Sequence, residues 1–316
     1  MKKLIGLLLV LVVLYGALIT MLPPRAIGQN NFNLARRVGQ YGIISLGAGV
    51  LIVSGGIDLS IGSFIGLSAT VLAVGIQRQG WSPGAGIAAV LGLGAVVGWI
   101  HGMLVTKAKL QPFVVTLCGL FIYRGLARWY GDDSNAGLGS EHETFRKVFS
   151  KYELLGLPVE FWYLIAAVVV FGVLLHRSTY GRYLFAIGSN ELAARYSGIR
   201  VDRYKIFAYI LCSLTAAFFS IMFLADSNSV QPSSTGSLIE LYAIAGAVLG
   251  GCSLRGGEGS VAGIVLGTAI LFVLMTTVFV AGVSDKLEYT AIGLTLLIGA
   301  MLDEFLRRRG TAVRKA

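Results

Sequence analysis

Long apolar runs, separated by short polar or glycine-rich breaks, make up most of the chain. A helix needs about 20 apolar residues to cross the hydrocarbon core of a bilayer, and most of the runs approach that length. Two runs are short for a full crossing and end in glycine-rich polar turns, which is typical of discontinuous spans inside a protein-lined space. The pattern predicts an all-α membrane protein with about ten transmembrane helices, the two short ones being 41–55 and 238–252. The predicted spans are 4–22, 41–55, 60–78, 84–106, 111–130, 161–177, 204–225, 238–252, 259–280 and 287–306.

A cation-rich polar segment, residues 178–205, separates two of the apolar blocks. Within it Asn190 is a typical N-cap residue, Glu191 suits a first helical turn, and Gly198 suits the position just after a helix end. These signals predict a helix of about two turns with one apolar face. That face needs a surface to lie on, either a groove on a cytoplasmic partner or the protein's own underside. The face consists of Leu192, Tyr196 and Ile199.

The distribution of Lys and Arg predicts the orientation of the chain. With the N-terminus in the cytoplasm, 16 of the 26 cationic residues lie on or next to cytoplasmic segments, where such residues are enriched. This places both termini and residues 178–205 in the cytoplasm and the loop 131–160 outside. The loop is long and charged, which is typical of a docking surface or a lid. The first run, 4–22, is too long for a signal-peptide core and is predicted to be an uncleaved span.

Composition excludes an ordinary soluble domain, because 55% of the residues are hydrophobic and only 13% are charged. The net charge of +10 does not indicate nucleic-acid binding, since the cations cluster between and after the spans. Glycine, at 42 of 316 residues, is typical of closely packed or broken membrane helices. The three cysteines fall in or at the ends of apolar segments and are interpreted as small core residues. The whole chain, 1–316, is interpreted as a single transmembrane domain.

Two glycine-rich turns share a Gly-Gly pair, an acidic residue, a serine and a glycine that opens the next helix. They suggest related hairpins in the two halves of the chain, although both are also compatible with purely structural turns. An acidic residue in the eighth span, Glu240, either faces a pathway or caps its helix, and we favour the cap. The residues of this motif are Gly55, Gly56, Asp58, Ser60 and Gly62 in the first turn, Gly256 and Gly257 in the second, and Glu240.

Catalytic and cofactor-binding patterns are missing from the sequence. The chain has no P-loop, since no lysine is followed by serine or threonine, so another subunit must supply any ATP site. The three histidines are far apart and none has metal-ligand spacing, so no metal site, catalytic residue or cofactor is predicted. Ionisable residues plot near the ends of the spans rather than at their centres, which disfavours an ion-coupled secondary carrier.

Four motifs resemble the permeases of carbohydrate ABC importers of the ribose, xylose and galactose type. They are SGGIDLSIGS at 54–63, LQPFVVTLCGLFIYRGLA at 110–127, GRYLFAIGSNELAARYSGI at 181–199 and ELYAIAGAVLGG at 240–251. The likeness runs from about residue 30 to 306, in order. Two departures are the bulky pair Phe218 and Phe219 in the seventh span and the loop 131–160, which shows little likeness to the family.

The resemblance implies a coupling segment that contacts an ATPase. Combined with the helix predicted above, it comprises Gly181, Arg182, Ala186, Ile187, Gly188, Asn190, Glu191, Leu192, Ala193, Ala194, Tyr196, Ser197, Gly198 and Ile199. It also implies a cytoplasmic ABC ATPase that carries ATP and Mg, a second permease chain in a homo- or heterodimer, and an extracytoplasmic substrate-binding protein, all at a bacterial inner membrane. The expected function is import of a monosaccharide or similar solute by alternating access. The alternatives are a branched-chain amino acid permease and, from another class, an ion-coupled secondary carrier.

Overall fold

The computed structural model describes residues 2–139 and 142–282, together with positions 287, 290, 293, 294 and 297. Helices account for nearly all regular structure in these residues, which confirms the all-α prediction. The elements are α1 (Lys2–Met21), α2 (Pro24–Val53), α3 (Ile61–Gln77), α4 (Pro83–Thr106), α5 (Pro112–Gly131), α6 (Glu143–Arg146), a π-helical turn (Lys147–Lys151), β1 (Glu153–Leu154), β2 (Leu157–Pro158), α7 (Val159–Gly172), a second π-helical turn (Val173–Arg177), α8 (Thr179–Ser189), α9 (Glu191–Tyr196), α10 (Val201–Ser227), α11 (Ile239–Leu249) and α12 (Val261–Val280).

Among the described residues, five helices are long and apolar enough to cross a membrane: α1, α4, α7 with its π-helical turn, α10 and α12. Two shorter apolar helices, α3 and α11, accompany them. The prediction of a short helix at 238–252 is confirmed, since α11 has 11 residues. The predicted tenth span, 287–306, lies outside the described residues apart from a few positions.

The prediction of a short helix at 41–55 is wrong, because α2 runs for 30 residues from Pro24 to Val53. Pro24 stands in the first turn, where a missing N–H has no consequence, and the polar residues that follow continue the helix. Only the second half of α2, from Val38, is buried. A helix of this length spans about 45 Å, so its polar first half extends beyond the buried core.

The core forms where α10 packs against α2 and α4. Glycines of α4 lie directly against α10: a Cβ added to Gly98 would lie 2.5 Å from the Cα of Ile210, and one added to Gly102 would lie 2.6 Å from the Cα of Ile206. The backbones of α4 and α10 therefore touch without intervening side chains. Phe219 is fully buried and its ring packs edge-on against Tyr41, so this bulky residue fills the core.

The loop 131–160 carries short but defined structure on either side of its two undescribed positions. β1 and β2 form a two-residue antiparallel hairpin, with Glu153 opposite Pro158. Ala136 pairs with Val230, which ties the loop to the segment after α10. The π-helical turn Lys147–Lys151 packs on α10 and α7. These contacts hold the loop against the helices.

Candidate functional site

The segment 178–205 folds into two helices separated by a single residue. The Ser178 hydroxyl caps α8 by accepting a hydrogen bond of 3.2 Å from the amide of Gly181. Asn190 ends α8 and caps α9, its Oδ1 accepting a hydrogen bond of 3.0 Å from the amide of Ala193. Gly198 has a φ of +81° and turns the chain immediately after α9. The local structure predicted from Asn190, Glu191 and Gly198 is confirmed.

Ion pairs fasten α9 to the start of α10 and the end of α4. Glu191 accepts hydrogen bonds from Lys205 at 2.9 Å and from Arg195 at 3.0 Å. Arg195 also contacts Asp202 at 2.7 Å, and Asp202 in turn accepts a bond of 2.8 Å from Lys107. Burial opposes the charge on Glu191, yet the two cations hold the pKa of that carboxyl below its usual value. The network fixes the angle at which α9 leaves the helix assembly.

One side of α9 is buried and the other is open. Ala194 packs in a small cluster with Ile187 and Val201, and Ile199 packs against the same cluster. Leu192 and Tyr196 are 68% and 90% exposed. The prediction that Ile199 shares their face is wrong, because the turn at Gly198 directs the chain back toward α10. The exposed apolar face is therefore a pair of side chains.

The remaining predicted coupling residues line α8 and α9 in different environments. Gly181 lies against the backbone of Leu175, and Arg182 is exposed and donates to the hydroxyl of Thr179 at 3.1 Å. Ala186 and Ala193 are exposed. Ser197 is exposed as well and donates to the carbonyl of Ala193 at 2.9 Å.

The two glycine-rich turns meet the coupling segment at a junction formed by backbone atoms. Gly257 donates a hydrogen bond of 2.9 Å to the carbonyl of Val53, which joins the second turn to the end of α2. A Cβ added to Gly188 would collide with that same carbonyl and with the amide of Gly257. Gly256 has a φ of +87°. A Cβ added to it would lie 2.8 Å from the carbonyl oxygen of Gly188 and 3.0 Å from the Cα atoms of Gly188 and Gly55. We call the contact of Gly55, Gly188, Gly256 and Gly257 the glycine junction.

The other motif residues of the first turn belong to a buried polar network. Asp58 accepts hydrogen bonds from the amide and the hydroxyl of Ser60 at 2.8 and 2.6 Å, so Ser60 bonds to Asp58 instead of capping α3. Nδ1 of His101 lies 3.5 Å from Oδ2 of Asp58, and Nε2 shares a hydrogen bond of 2.8 Å with the Tyr123 hydroxyl. Sequence patterns did not indicate this network, since its members lie on one loop and two different helices.

Gly62 and Glu240 come together where α11 crosses the start of α3. Glu240 stands in the first turn of α11, as the cap interpretation requires, but its buried carboxylate lies directly against Gly62. Beside it, Arg124 donates hydrogen bonds to the carbonyls of Pro232 at 2.9 Å and Thr235 at 2.7 Å. The arrangement secures the segment that links α10 to α11.

A second ionic cluster, which the sequence did not indicate, lies at the opposite end of the helices. Glu160 is fully buried and accepts hydrogen bonds from Ser150 at 2.7 Å and Gln40 at 3.3 Å. The Nε atom of Arg36 lies 3.8 Å from this carboxylate, and the same guanidinium contacts Asp226 at 3.4 Å. The cluster joins the loop 131–160 to α2 and α10. Within the residues that the structure describes, no group of three His, Cys, Asp or Glu side chains is arranged to hold a metal ion.

Comparison with known proteins identifies relatives over nearly the whole chain. The sequence model of a family described as "Branched-chain amino acid transport system / permease component" matches residues 30–301. The ribose import permease protein RbsC of Bacillus subtilis (strain 168) is 36% identical over 87% of this chain and 84% of its own length.

Two relatives from Escherichia coli (strain K12) align over 96% of the chain. Its RbsC is 34% identical and is covered over 92% of its length. Its L-arabinose transport system permease protein AraH is 32% identical and is covered over 91% of its length. No solved structure matches the chain.

Proposed function

The chain belongs to the family of branched-chain amino acid transport system permease components, and on that premise we propose that it is the transmembrane subunit of an ATP-binding-cassette importer. The proposed cargo is a monosaccharide or a similar small polar solute. Support comes from relatives named for ribose and L-arabinose import, which align over 87% to 96% of this chain. The family description names branched-chain amino acids, so that cargo is the alternative to be tested.

The observation that carries the proposal is the exposed pair Leu192 and Tyr196 on a helix whose other sides are fixed. The Asn190 cap, the buried Ala194 and the ion pairs of Glu191 hold α9 in place. A short anchored helix that presents two large apolar side chains fits a groove on a partner protein. We assign that groove to a cytoplasmic ATPase, which carries ATP and Mg²⁺ because this chain has no P-loop.

The glycine junction supplies a path from α9 to the spans. Movement of the ATPase displaces α9 and, through Asn190, α8. Because Gly188 contacts both Val53 and Gly257 without a side chain between them, α8 cannot move far without moving the end of α2 and the turn before α12. We propose that this displacement opens and closes access to the pathway on alternate sides of the membrane.

The proposed arrangement is a single domain of about ten spans with both termini in the cytoplasm. Residues 178–205 lie in the cytoplasm and the loop 131–160 lies outside, where a substrate-binding protein docks. A second permease chain, identical or a sister, completes the pathway. The buried groups Asp58, Ser60, Gly62 and Glu240 hold the helices around that pathway in register.

Co-purification tests the coupling assignment. The tagged chain is expressed with its ATPase in three forms: wild type, Leu192→Asp with Tyr196→Asp, and the control Leu155→Asp. Leu155 is 83% exposed and lies in the loop 131–160, at the proposed opposite face. Wild type and the control should retain the ATPase, whereas the double variant should lose it while still inserting into the membrane. If all three forms retain the ATPase, α9 is not part of the interface with it.

Uptake into proteoliposomes separates the cargo and the class of transporter. When the chain is reconstituted with its ATPase, with ATP inside the vesicles and a ribose-binding or arabinose-binding protein outside, labelled pentose should accumulate. Labelled leucine should not accumulate when a leucine-binding protein is supplied outside instead. Accumulation should persist in the presence of a protonophore, because ATP drives it. Uptake that needs no ATP and stops with the protonophore would identify a secondary carrier instead.

A further inference from the structure

A cleft of about 630 Å³ lies between α8 and the first two turns of α10. It opens beside α9 but does not include Leu192 or Tyr196, the pair assigned to the ATPase. Its walls are aromatic and cationic. The turn 197–199 closes one side, and the aromatic and cationic lining residues are Tyr180, Tyr183, Arg200, Arg203, Tyr204 and Phe207.

The two guanidinium groups of the cleft are not balanced by acidic side chains. Arg200 and Arg203 are both exposed, and neither forms an ion pair with a carboxylate in the described part of the chain. The nearest acidic residue in sequence, Asp202, is already engaged by Lys107 and Arg195. Two neighbouring guanidinium groups without carboxylate partners favour a phosphate as ligand. Its oxygens accept hydrogen bonds from the two parallel N–H groups that each guanidinium presents.

The aromatic wall of the cleft is preorganised. The rings of Tyr180 and Tyr204 stack at 5.6 Å, and Tyr183 and Phe207 pack edge-on against them at 5.3 and 5.1 Å. The Tyr180 hydroxyl donates to the carbonyl of Tyr204 at 3.3 Å. The hydroxyls of Tyr183 and Tyr204 have no hydrogen-bond partner among the described residues, so they are available to a ligand.

The position of the cleft indicates where its ligand comes from. The span that contains α7 ends at Arg177, and the next span begins at Val201, so the cleft lies where two candidate spans reach the polar segment. Phe207, at one end of the cleft, is 41% exposed and lies within α10. Tyrosine and arginine are typical of this depth in a bilayer, and basic pockets beside spans bind anionic lipid headgroups.

We propose that the cleft binds the phosphate of an anionic phospholipid. Arg200 and Arg203 hold the phosphate, the hydroxyls of Tyr183 and Tyr204 donate to its oxygens or to the headgroup, and an acyl chain follows Phe207 along α10. A bound lipid links α8 to α10 from the side opposite the Asp202 ion pairs. The proposal thus adds a lipid contact to the element that carries α9.

Lipid retention by the purified full-length chain tests the site. The chain in a neutral detergent is mixed with phosphatidylglycerol or phosphatidylcholine, and native mass spectrometry counts the bound lipids. Wild type should retain phosphatidylglycerol in preference to phosphatidylcholine. In Arg200→Gln with Arg203→Gln, the apparent affinity for phosphatidylglycerol should fall about tenfold or more, as expected on loss of charge-assisted hydrogen bonds. Arg177→Gln with Arg255→Gln, which removes two exposed charges outside the cleft, should bind like wild type.

Two further arms keep the result decisive. Arg200→Lys with Arg203→Lys retains the charge but loses the paired donors, and should bind phosphatidylglycerol more weakly than wild type and more tightly than the glutamine variant. Glycerophosphate at matched concentration should not displace the lipid. If it does, the site is one for soluble phosphates and the lipid assignment fails. Equal retention of the two lipids by wild type, or equal losses in the cleft and control variants, would also overturn the proposal.

Discussion

Lys205, in the second turn of α10, donates a hydrogen bond of 2.9 Å to Glu191 at the start of α9, across 14 residues of chain. Lys205 is only 8% exposed, so its ammonium group has few alternatives to this carboxylate. A six-residue helix is not stable by itself in water. The pair therefore stabilises the structure more than an ordinary surface ion pair does, because it fixes a helix that intrinsic helix propensity alone would not maintain.

Replacement of Lys205 by Met should loosen α9 without unfolding the chain. Glu191 would keep Arg195 as its cation, so we expect a loss of about 1 kcal/mol in the local stability of α9. Hydrogen–deuterium exchange should show faster exchange of the α9 amides by roughly fivefold. Lys147→Met, which breaks the exposed pair with Glu143, serves as the control and should leave α9 exchange unchanged. Unchanged exchange in Lys205→Met would show that the Asn190 cap and Arg195 suffice.

Addition of one methyl group to Gly188 should destabilise the protein. The new Cβ would overlap the carbonyl of Val53 and the amide of Gly257, and backbone atoms cannot move aside as a flexible side chain can. We expect Gly188→Ala to lower the free energy of unfolding by about 1–3 kcal/mol. Thermal unfolding in detergent measures the effect.

Gly125→Ala is the matched comparison, since nothing lies within 4 Å of a Cβ at that helical position. It should leave stability unchanged or raise it by about 0.5–1 kcal/mol. Equal midpoints for the two alanine variants would contradict the close contact of the glycine junction.

Two tyrosine hydroxyls in the core differ in whether they have a partner. The Tyr123 hydroxyl is hydrogen-bonded to Nε2 of His101, whereas the buried Tyr209 hydroxyl has no hydrogen-bond partner among the described residues. Tyr123→Phe should therefore cost about 1–3 kcal/mol, because it leaves a buried ring nitrogen unsatisfied. Tyr209→Phe should be neutral or stabilising. Thermal midpoints in the opposite order would show that the Asp58 network is bonded differently.

Removal of the Arg36 guanidinium should uncouple the loop 131–160 from the helices. Glu160 would remain buried without a nearby cation, so we expect Arg36→Met to lower stability by about 3–5 kcal/mol. Limited proteolysis should cleave within residues 142–158 sooner than in wild type. Arg37→Met, which removes an exposed charge one position away, should behave like wild type. A loop that resists proteolysis in Arg36→Met would show that its contacts with α10 and α7 hold it without this ion pair.

Local signals were readable from the sequence, whereas long-range partners were not. Asn190 and Gly198 act within a few residues of themselves, so their residue types predict a cap and a turn directly. Glu160 bonds to Gln40, which lies 120 residues away, and only the fold brings the two together. Hydropathy placed the apolar half of α2 but not its beginning, because a polar stretch near Arg36 continues the helix through contacts that hydropathy does not measure.

At Gly188, Gly256 and Gly257, the glycine junction leaves no space for a side chain between the elements it joins. Every side chain other than the hydrogen of glycine is larger, so a substitution at these positions cannot adjust the packing distance between the joined elements without a clash. If α9 contacts an ATPase as proposed above, the residues that can change without disturbing this joint are the exposed ones, such as Leu192 and Tyr196. Under the proposed function, a fixed joint behind α9 would let this architecture accept a different ATPase through changes in only the few side chains that project from that helix.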